Sequence, residues 1–351
     1  MKVLIRKSVL IWLFCLFYAI GNGQSLFPFK SEGLWGYIDT NRTVIIPPTY
    51  PMAGFFYEGL AYAQLGDALG FIDVSGKEVI QPKYPAAYNF NEGFASVMDM
   101  EEWGIINTKG EMVIKPKLKH PVQFHNGLAR FNMITGVTSS YGFINIKGDT
   151  AIKPIFDKTG EFSEGLCLAS KGGFKYGYID TTGKWVVQPI YTMETSIKVN
   201  GEFDYSDKNF SGGFAAVCKD EKYGVIDKKG NLVIGFKYGY IGKFSEGVAP
   251  AKKDSLYGYI DIKENWVIKP KYNDAESFHN GLAAVAKGPF LEEKWGFIDH
   301  NGNVVIPLTI FANYTFTEPM RFWKGAVPCY IEKGVYGYIN RQGKIIWRMD
   351  E

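Results

Sequence analysis

Apolar and polar residues alternate in short runs along the whole chain. Gly, Pro, Asn or Asp interrupts each run. Ala95 and Val97, Ala215 and Val217, and Ala283 and Val285 keep a period of two, which predicts half-buried β strands. No stretch shows a convincing amphipathic-helix pattern. The expected fold class is therefore all-β.

The runs recur. A large residue, Gly, an aromatic or aliphatic residue, Ile and then Asp or Asn appear as Trp35-Gly36-Tyr37-Ile38-Asp39, Leu69-Gly70-Phe71-Ile72-Asp73 and Trp103-Gly104-Ile105-Ile106-Asn107. Further copies begin at Tyr141, Tyr176, Tyr223, Tyr257, Trp295 and Tyr336. Successive glycines are 34, 34, 38, 35, 47, 34, 38 and 41 residues apart, a base period of 34 with insertions. Such a period marks a repeat architecture.

Each copy predicts three strands. The Gly-aromatic-Ile-Asp run is the middle one. Seven of nine copies place Gly three residues after the Asp or Asn, at 76, 110, 148, 183, 230, 302 and 343. That spacing predicts a tight hairpin, with the carboxylate or amide bonding backbone and Gly at positive φ. A β-branched run follows, such as Val79-Ile80 or Val267-Ile268, and usually ends at a proline such as Pro82 or Pro270. Proline has no N–H to donate, so it belongs at a strand end or edge. A loop then leads to Phe-x-x-Gly at Phe90, Phe124, Phe162, Phe210, Phe244 and Phe278, and the alanine-rich strand follows.

These residues resemble the bacterial WG-repeat family, also written KWG. The most literal copies are Lys294-Trp295-Gly296-Phe297-Ile298-Asp299 and Phe244-Ser245-Glu246-Gly247-Val248-Ala249. The resemblance runs from Leu34 to about Trp347, with Tyr replacing Trp in several copies and Leu69 in one. It implies an exported or envelope-associated β-repeat protein, with no common enzymatic activity and no ligand known for most members.

About nine three-stranded units can form an open β solenoid or superhelix, each unit burying its apolar face on its neighbours. A closed propeller-like ring is the alternative. Propellers usually have four to eight blades of four strands, and the uneven spacing here favours the open array.

Composition changes the picture at the N-terminus. Lys2, Arg6 and Lys7 precede an unbroken apolar run from Val9 to Ile20, and Gly21 and Gly23 suit cleavage before Gln24. Residues 1–23 read as a signal peptide and 24–351 as the repeat domain. An uncleaved anchor is the alternative, although the run is shorter than the roughly 20 residues of a membrane span. Export to the periplasm, the outer surface or the medium is expected, with no membrane span after cleavage.

Lys and Arg total 39 against 36 Asp and Glu, and three of the basic residues lie in 1–23, so the remainder balances at 36 and 36. Balanced charge argues against a nucleic-acid partner. Cys167, Cys218 and Cys329 are odd in number and widely spaced. They read as small apolar strand residues rather than a disulfide framework.

A catalytic residue is needed once, whereas a residue in every copy serves every copy. Asp39, Asp73, Asp180, Asp227, Asp261 and Asp299 therefore read as turn formers, and Glu58, Glu92, Glu164 and Glu246 as turn residues beside their glycines. His125 and His279 share one repeat position, and no two histidines have metal-ligand spacing. Asp299, Asn301 and Asn303 imitate the start of a calcium loop, but Val304 and Ile310 stand where Gly and Glu are required. No nucleophile elbow, phosphate loop or zinc-protease helix occurs. The expectation is a non-enzyme with no cofactor and no metal.

Departures from the repeat point to binding. Trp185 and Trp266 occupy positions that hold Glu78, Met112, Thr150 or Leu232 elsewhere, and Trp323 replaces the polar residue of its turn. The largest insertion, 192–209, carries Phe203 and Tyr205. These five aromatics are the candidate binding residues. Three functions follow in order of preference. The first is a protein-interaction or scaffold module with an envelope-protein partner. The second is a glycan or peptidoglycan binder recognising a surface polysaccharide through the tryptophans. The third is an enzyme with a site on the insertions.

Overall fold

The computed structural model describes residues 25–136, 138–192, 198–199, 202–203, 206–289, 292–311, 321–332 and 334–349. The N-terminal segment 1–23 and Tyr205 lie outside them, and of Phe203 only the backbone is described.

The described chain is built of β strands and turns, with one short 3-10 turn at Ser206–Lys208. Nine three-stranded units span 26–50, 60–84, 94–118, 128–156, 166–192, 214–238, 248–272, 283–311 and 326–348. In the second unit an alanine strand, Leu60–Leu65, pairs antiparallel with the glycine strand Ala68–Asp73. That strand pairs in turn with the proline strand Glu78–Tyr84. Additional two-residue strands, such as Lys158–Thr159 and Asp274–Ala275, flank some alanine strands.

The hairpin chemistry is as the sequence predicts. Asp73 Oδ1 accepts from the N–H groups of Ser75 at 2.9 Å and Lys77 at 3.1 Å. Asn107 makes the same pair with Lys109 and Glu111. Gly76 sits at φ 83, and Arg42 and Glu264 hold the equivalent left-handed position at φ 71 and 65 in the two copies without Gly.

The glycine of the middle strand has a different cause. Opposite it the proline strand bulges. Leu69 pairs with Tyr84 and Phe71 with Ile80, so three residues face Gly70 alone. The bulge, with Pro82 in it, presses on the glycine strand. A Cβ on Gly70 would lie 2.5 Å from Ile80 O and 2.9 Å from Pro82 N. Proline fits because a bulged residue need not donate to the ladder.

The described residues form a series of separate core clusters. Leu60, Phe71, Ile80 and Tyr84 of the second unit pack on Phe90, Ala95, Val97 and Ile106 that lead into and form the third. The arrangement recurs from unit to unit, so every alanine strand is sandwiched between neighbours. Leu166–Ser170 is buried on both faces. This crowding selects small side chains. Cys167, Cys218 and Cys329 all lie in alanine strands, buried and free.

The nine-unit all-β array is thus present, and its hydrogen bonding is open: among the described residues no strand ladder joins the first unit to the last. The ends nevertheless touch through side chains. Phe27, Phe29 and Ile38 of the first unit pack on Ala326, Tyr338, Ile346 and Trp347 of the ninth. By register, Phe27 and Phe29 stand where the third unit has Ala95 and Val97. The seam therefore repeats the contact between neighbours with larger side chains. Trp323 packs there edge-on to Phe55 at 5.5 Å and tilted against Tyr57 at 5.1 Å, and Lys324 Nζ donates to Phe56 O at 3.1 Å.

Candidate binding surfaces

Three regions carry polar chemistry or exposed apolar surface. The first is the row of turns that precede the alanine strands. In each, two left-handed residues close a hairpin, as Glu92 at φ 52 and Gly93 at φ 83 do. The residue before the glycine reaches forward to the next unit. Glu92 accepts from the N–H groups of Asn126 at 2.7 Å and Gly127 at 2.8 Å. Glu58 accepts from Gly93 at 2.9 Å, Asn126 from Gly165 at 3.0 Å, Glu164 from Gly213 at 3.0 Å and Glu246 from Gly281 at 3.0 Å.

A carboxylate in this role satisfies N–H groups that the turn itself leaves open. Lys228 pairs with Glu164 at 3.1 Å and His300 with Glu246 at 3.0 Å. Burial raises the Glu164 carboxyl, but bonds from Lys228 and the Gly213 and Gly212 N–H groups outweigh it and hold it below the ordinary value. The repeated glutamates are thus structural bridges between units.

The second region surrounds the end of the 192–209 insertion. Lys208 is only 5% exposed. Its ammonium bonds Asp207 at 2.8 Å and the Tyr223 hydroxyl at 3.2 Å, and lies 4.9 Å from the Tyr223 ring centroid. Tyr178 donates to Lys208 O at 2.7 Å. These contacts tie the insertion to the fifth and sixth units. Close by, burial pushes the Glu276 carboxyl up to about 7, with Asp274 adding to the rise, Arg321 opposing it and Asp207 adding again. Nothing in the repeat marks Lys208 or Glu276. Both act through contacts that only the assembled array creates.

The third region is the outward face of the proline strands, which edge their sheets except in the eighth unit, where Val304–Phe311 also pairs with Ala326–Glu332. Val79, Val113, Val186, Val233, Val267 and Val305 occupy one repeat position and are all exposed, between 37% and 47%. Alternation sends Ile80 inward and Val79, Gln81 and Lys83 outward. In other units the outward residues include Lys115 and Lys117, or Lys269 and Lys271. The result is a row of β-branched side chains at one repeat position, flanked by outward lysines in four of the six strands.

The three tryptophans are half-buried and lie on separate units. Trp185 packs edge-on to Phe156 at 5.7 Å, and Trp266 lies 6.2 Å from Tyr238. Trp323 belongs to the seam. The structure does not bring the three together. Asp299 forms the ordinary turn, accepting from Asn301 at 2.9 Å and Asn303 at 2.8 Å. Among the described residues no three His, Cys, Asp or Glu side chains converge as metal ligands do, and no helix is long and apolar enough to cross a membrane.

A tandem array of three-stranded antiparallel units, each closed by an Asp or Asn turn and relieved by one strand glycine, defines a β-repeat protein. The chain belongs to the family described as WG containing repeat, matched at residues 35–67, 70–99, 103–133, 141–173, 176–193, 197–223, 223–257, 257–288 and 295–313.

No curated protein matches the chain. Among solved structures it is similar to BamB from Moraxella catarrhalis, at 10% identity and TM-score 0.39, covering 84% of this chain and 97% of that one. It is also similar to apo AztD from Citrobacter koseri, at 12% identity and TM-score 0.38, covering 80% and 93%. A third similarity is to PorZ, a surface component of the type-IX secretion system of Porphyromonas gingivalis, at 9% identity and TM-score 0.29, covering 93% and 51%. Likenesses at this level carry no argument about function.

Proposed function

We propose that this protein is a non-enzymatic, exported interaction module of the cell envelope that offers its proline-strand face to a protein partner. The observation that carries the reading is the exposed row from Val79 to Val305, with lysines flanking four of its six valines. Exposed apolar residues scattered singly need no explanation, but the same residue exposed at one position of six units does. A partner with apolar side chains and acidic groups at matching intervals gains from every unit it spans, as multivalent contacts do. The repeated acids and amides are already engaged in turns and bridges, which supports a scaffold over a catalyst.

The test is capture from solubilised envelope on immobilised protein, with and without prior protease treatment of that envelope. Capture that protease abolishes, and that Val186→Thr, Val233→Thr and Val267→Thr together reduce at least tenfold, supports the reading. Undiminished capture by the triple variant sinks the assignment of the face. Capture that survives protease transfers the function to polysaccharide binding and makes Trp185, Trp266 and Trp323 the next targets.

A further inference from the structure

We propose that the turn Ser245–Val248 at the start of the seventh unit is a carboxylate-binding site. Its ligand carries a free carboxylate on a branched aliphatic or aromatic group.

The argument begins from the bridges between turns. Five turns accept N–H groups of the next turn through a side-chain oxygen, and Glu92 does so with both oxygens. At the step into the seventh unit the bridging position is Gly212, which has no side chain to extend. The N–H groups of Glu246 and Gly247 have no partner among the described residues. The receiving turn is otherwise unchanged. Glu246 and Gly247 sit at φ 53 and 88, as Glu92 and Gly93 sit at 52 and 83. Two adjacent N–H groups in such a turn form a concave anion site, and peptide carboxylates are captured this way.

A second change accompanies the first. Where Glu164 meets Lys228 and Glu246 meets His300, the position facing Gly212 holds Ile262. Loss of the acid has therefore left no stranded cation. It has left a cavity of ≈ 220 Å³ whose lining includes Gly212, Phe214, Phe244, Glu246, Gly247 and Ile262. It is smaller than the roughly 300 Å³ at which drug-sized pockets begin, so it suits a single side chain. Phe214, Phe244 and Ile262 supply apolar walls around the N–H pair. The Glu246 carboxylate is held toward the eighth unit by Gly281 and His300, so it does not fill the vacancy. The site is independent of the outward valine row.

The array supplies its own competitor. A Cβ on Gly212 meets nothing within 4 Å, and its φ of 61 is near the values at which four glutamates sit. Gly212→Glu therefore restores the bridge and fills the slot from within, and Gly212→Asn does so as Asn126 does. Gly212→Ala leaves the slot open.

Binding is read by ligand-observed NMR and calorimetry, with far-UV circular dichroism confirming the fold of each variant. The probes are N-acetyl-leucine, its uncharged amide, and N-acetyl-glutamate α-amide, whose acid is on the side chain. The expected result is millimolar binding of N-acetyl-leucine, at least tenfold weaker binding of its amide, and loss of binding in Gly212→Glu and Gly212→Asn but not in Gly212→Ala. Equal binding of acid and amide, unchanged binding in both filled variants, or no acid bound at about 10 mM overturns the site. Preference between the two acids tells whether a chain terminus or an acidic side chain is the source.

Discussion

Replacing Gly258 by Ala tests whether the repeat glycine exists to admit the bulged strand. The added methyl would lie 2.4 Å from Ile268 O, 2.7 Å from Pro270 N and 2.8 Å from Lys269 C, all backbone atoms. Ordinary contact begins near 3.4 Å, so the strand Trp266–Tyr272 must retreat by about 1 Å. No rotamer change relieves a clash with backbone. The retreat drags Ile268 and Tyr272 away from Phe278, Ala283 and Val285, with which they form one cluster. Overpacking of a dense core costs about 1–3 kcal/mol, and the shared interface places the expected loss near the upper end, at about 3 kcal/mol. Gly235 is the control. It sits in the equivalent strand of the preceding unit with nothing within 4 Å of an added Cβ and no positive φ. Alanine there narrows the unfolded ensemble and should stabilise by about 0.5 kcal/mol. Urea denaturation followed by tryptophan fluorescence compares the two, with Trp266 reporting from the affected strand. Opposite signs are expected. A Gly258→Ala variant within about 0.5 kcal/mol of wild type refutes the close-approach explanation.

Three further outcomes follow from the same geometry. Burial raises the Glu276 carboxyl from its ordinary 4.5 to about 7, so its contribution to stability is fully present below about pH 4.5 and lost as pH rises through 7. Glu276→Gln should therefore raise the denaturation midpoint at pH 8 and leave it unchanged at pH 4, and equal effects at both would contradict the burial of that carboxyl. Glu92→Ala removes acceptors from two N–H groups at a solvent-exposed turn, an expected loss of about 1 kcal/mol; a neutral result by denaturant titration would show that water replaces the bridge. Trp323→Ala empties the centre of the seam, an expected cost of about 3 kcal/mol, and should speed amide exchange in Leu26–Ser31 before it does so in Leu166–Ser170; uniform exchange in both strands counts against a separate seam.

What could be read from the sequence was what repeats within one unit. The Asp and Asn turns, the proline at the edge, the alternation of Ala95 with Val97 and the packing role of the cysteines are all set by residues close in sequence. Contacts between units are one period away and left weaker marks. Glu58, Glu92, Glu164 and Glu246 were legible as turn residues, yet their oxygens serve the next turn, 35 residues on for three of them and 49 for Glu164. The sign of that service lay in the exceptions: Gly212, whose neighbour Gly213 already supplies the turn, and Asn280, whose amide donates to Phe322 O instead. The seam was marked too, by Phe27 and Phe29 at positions that carry small residues elsewhere, but a run of Leu26-Phe27-Pro28-Phe29 reads equally well as an ordinary strand. Lys208 carries no pattern, because its partners Tyr223 and Asp207 matter only once the insertion folds back.

The seam also sets how the molecule would respond to mechanical load. Pulled apart by its two ends, a hydrogen-bonded sheet resists in shear, with many backbone bonds sharing the force. Here, among the described residues, the first and ninth units are held by side chains without a strand ladder, chiefly by Phe27, Phe29, Trp323 and Trp347. Tension would part them at low force while the ladders within each unit stay intact. The array would then lengthen in steps, one interface at a time, as a compliant tether.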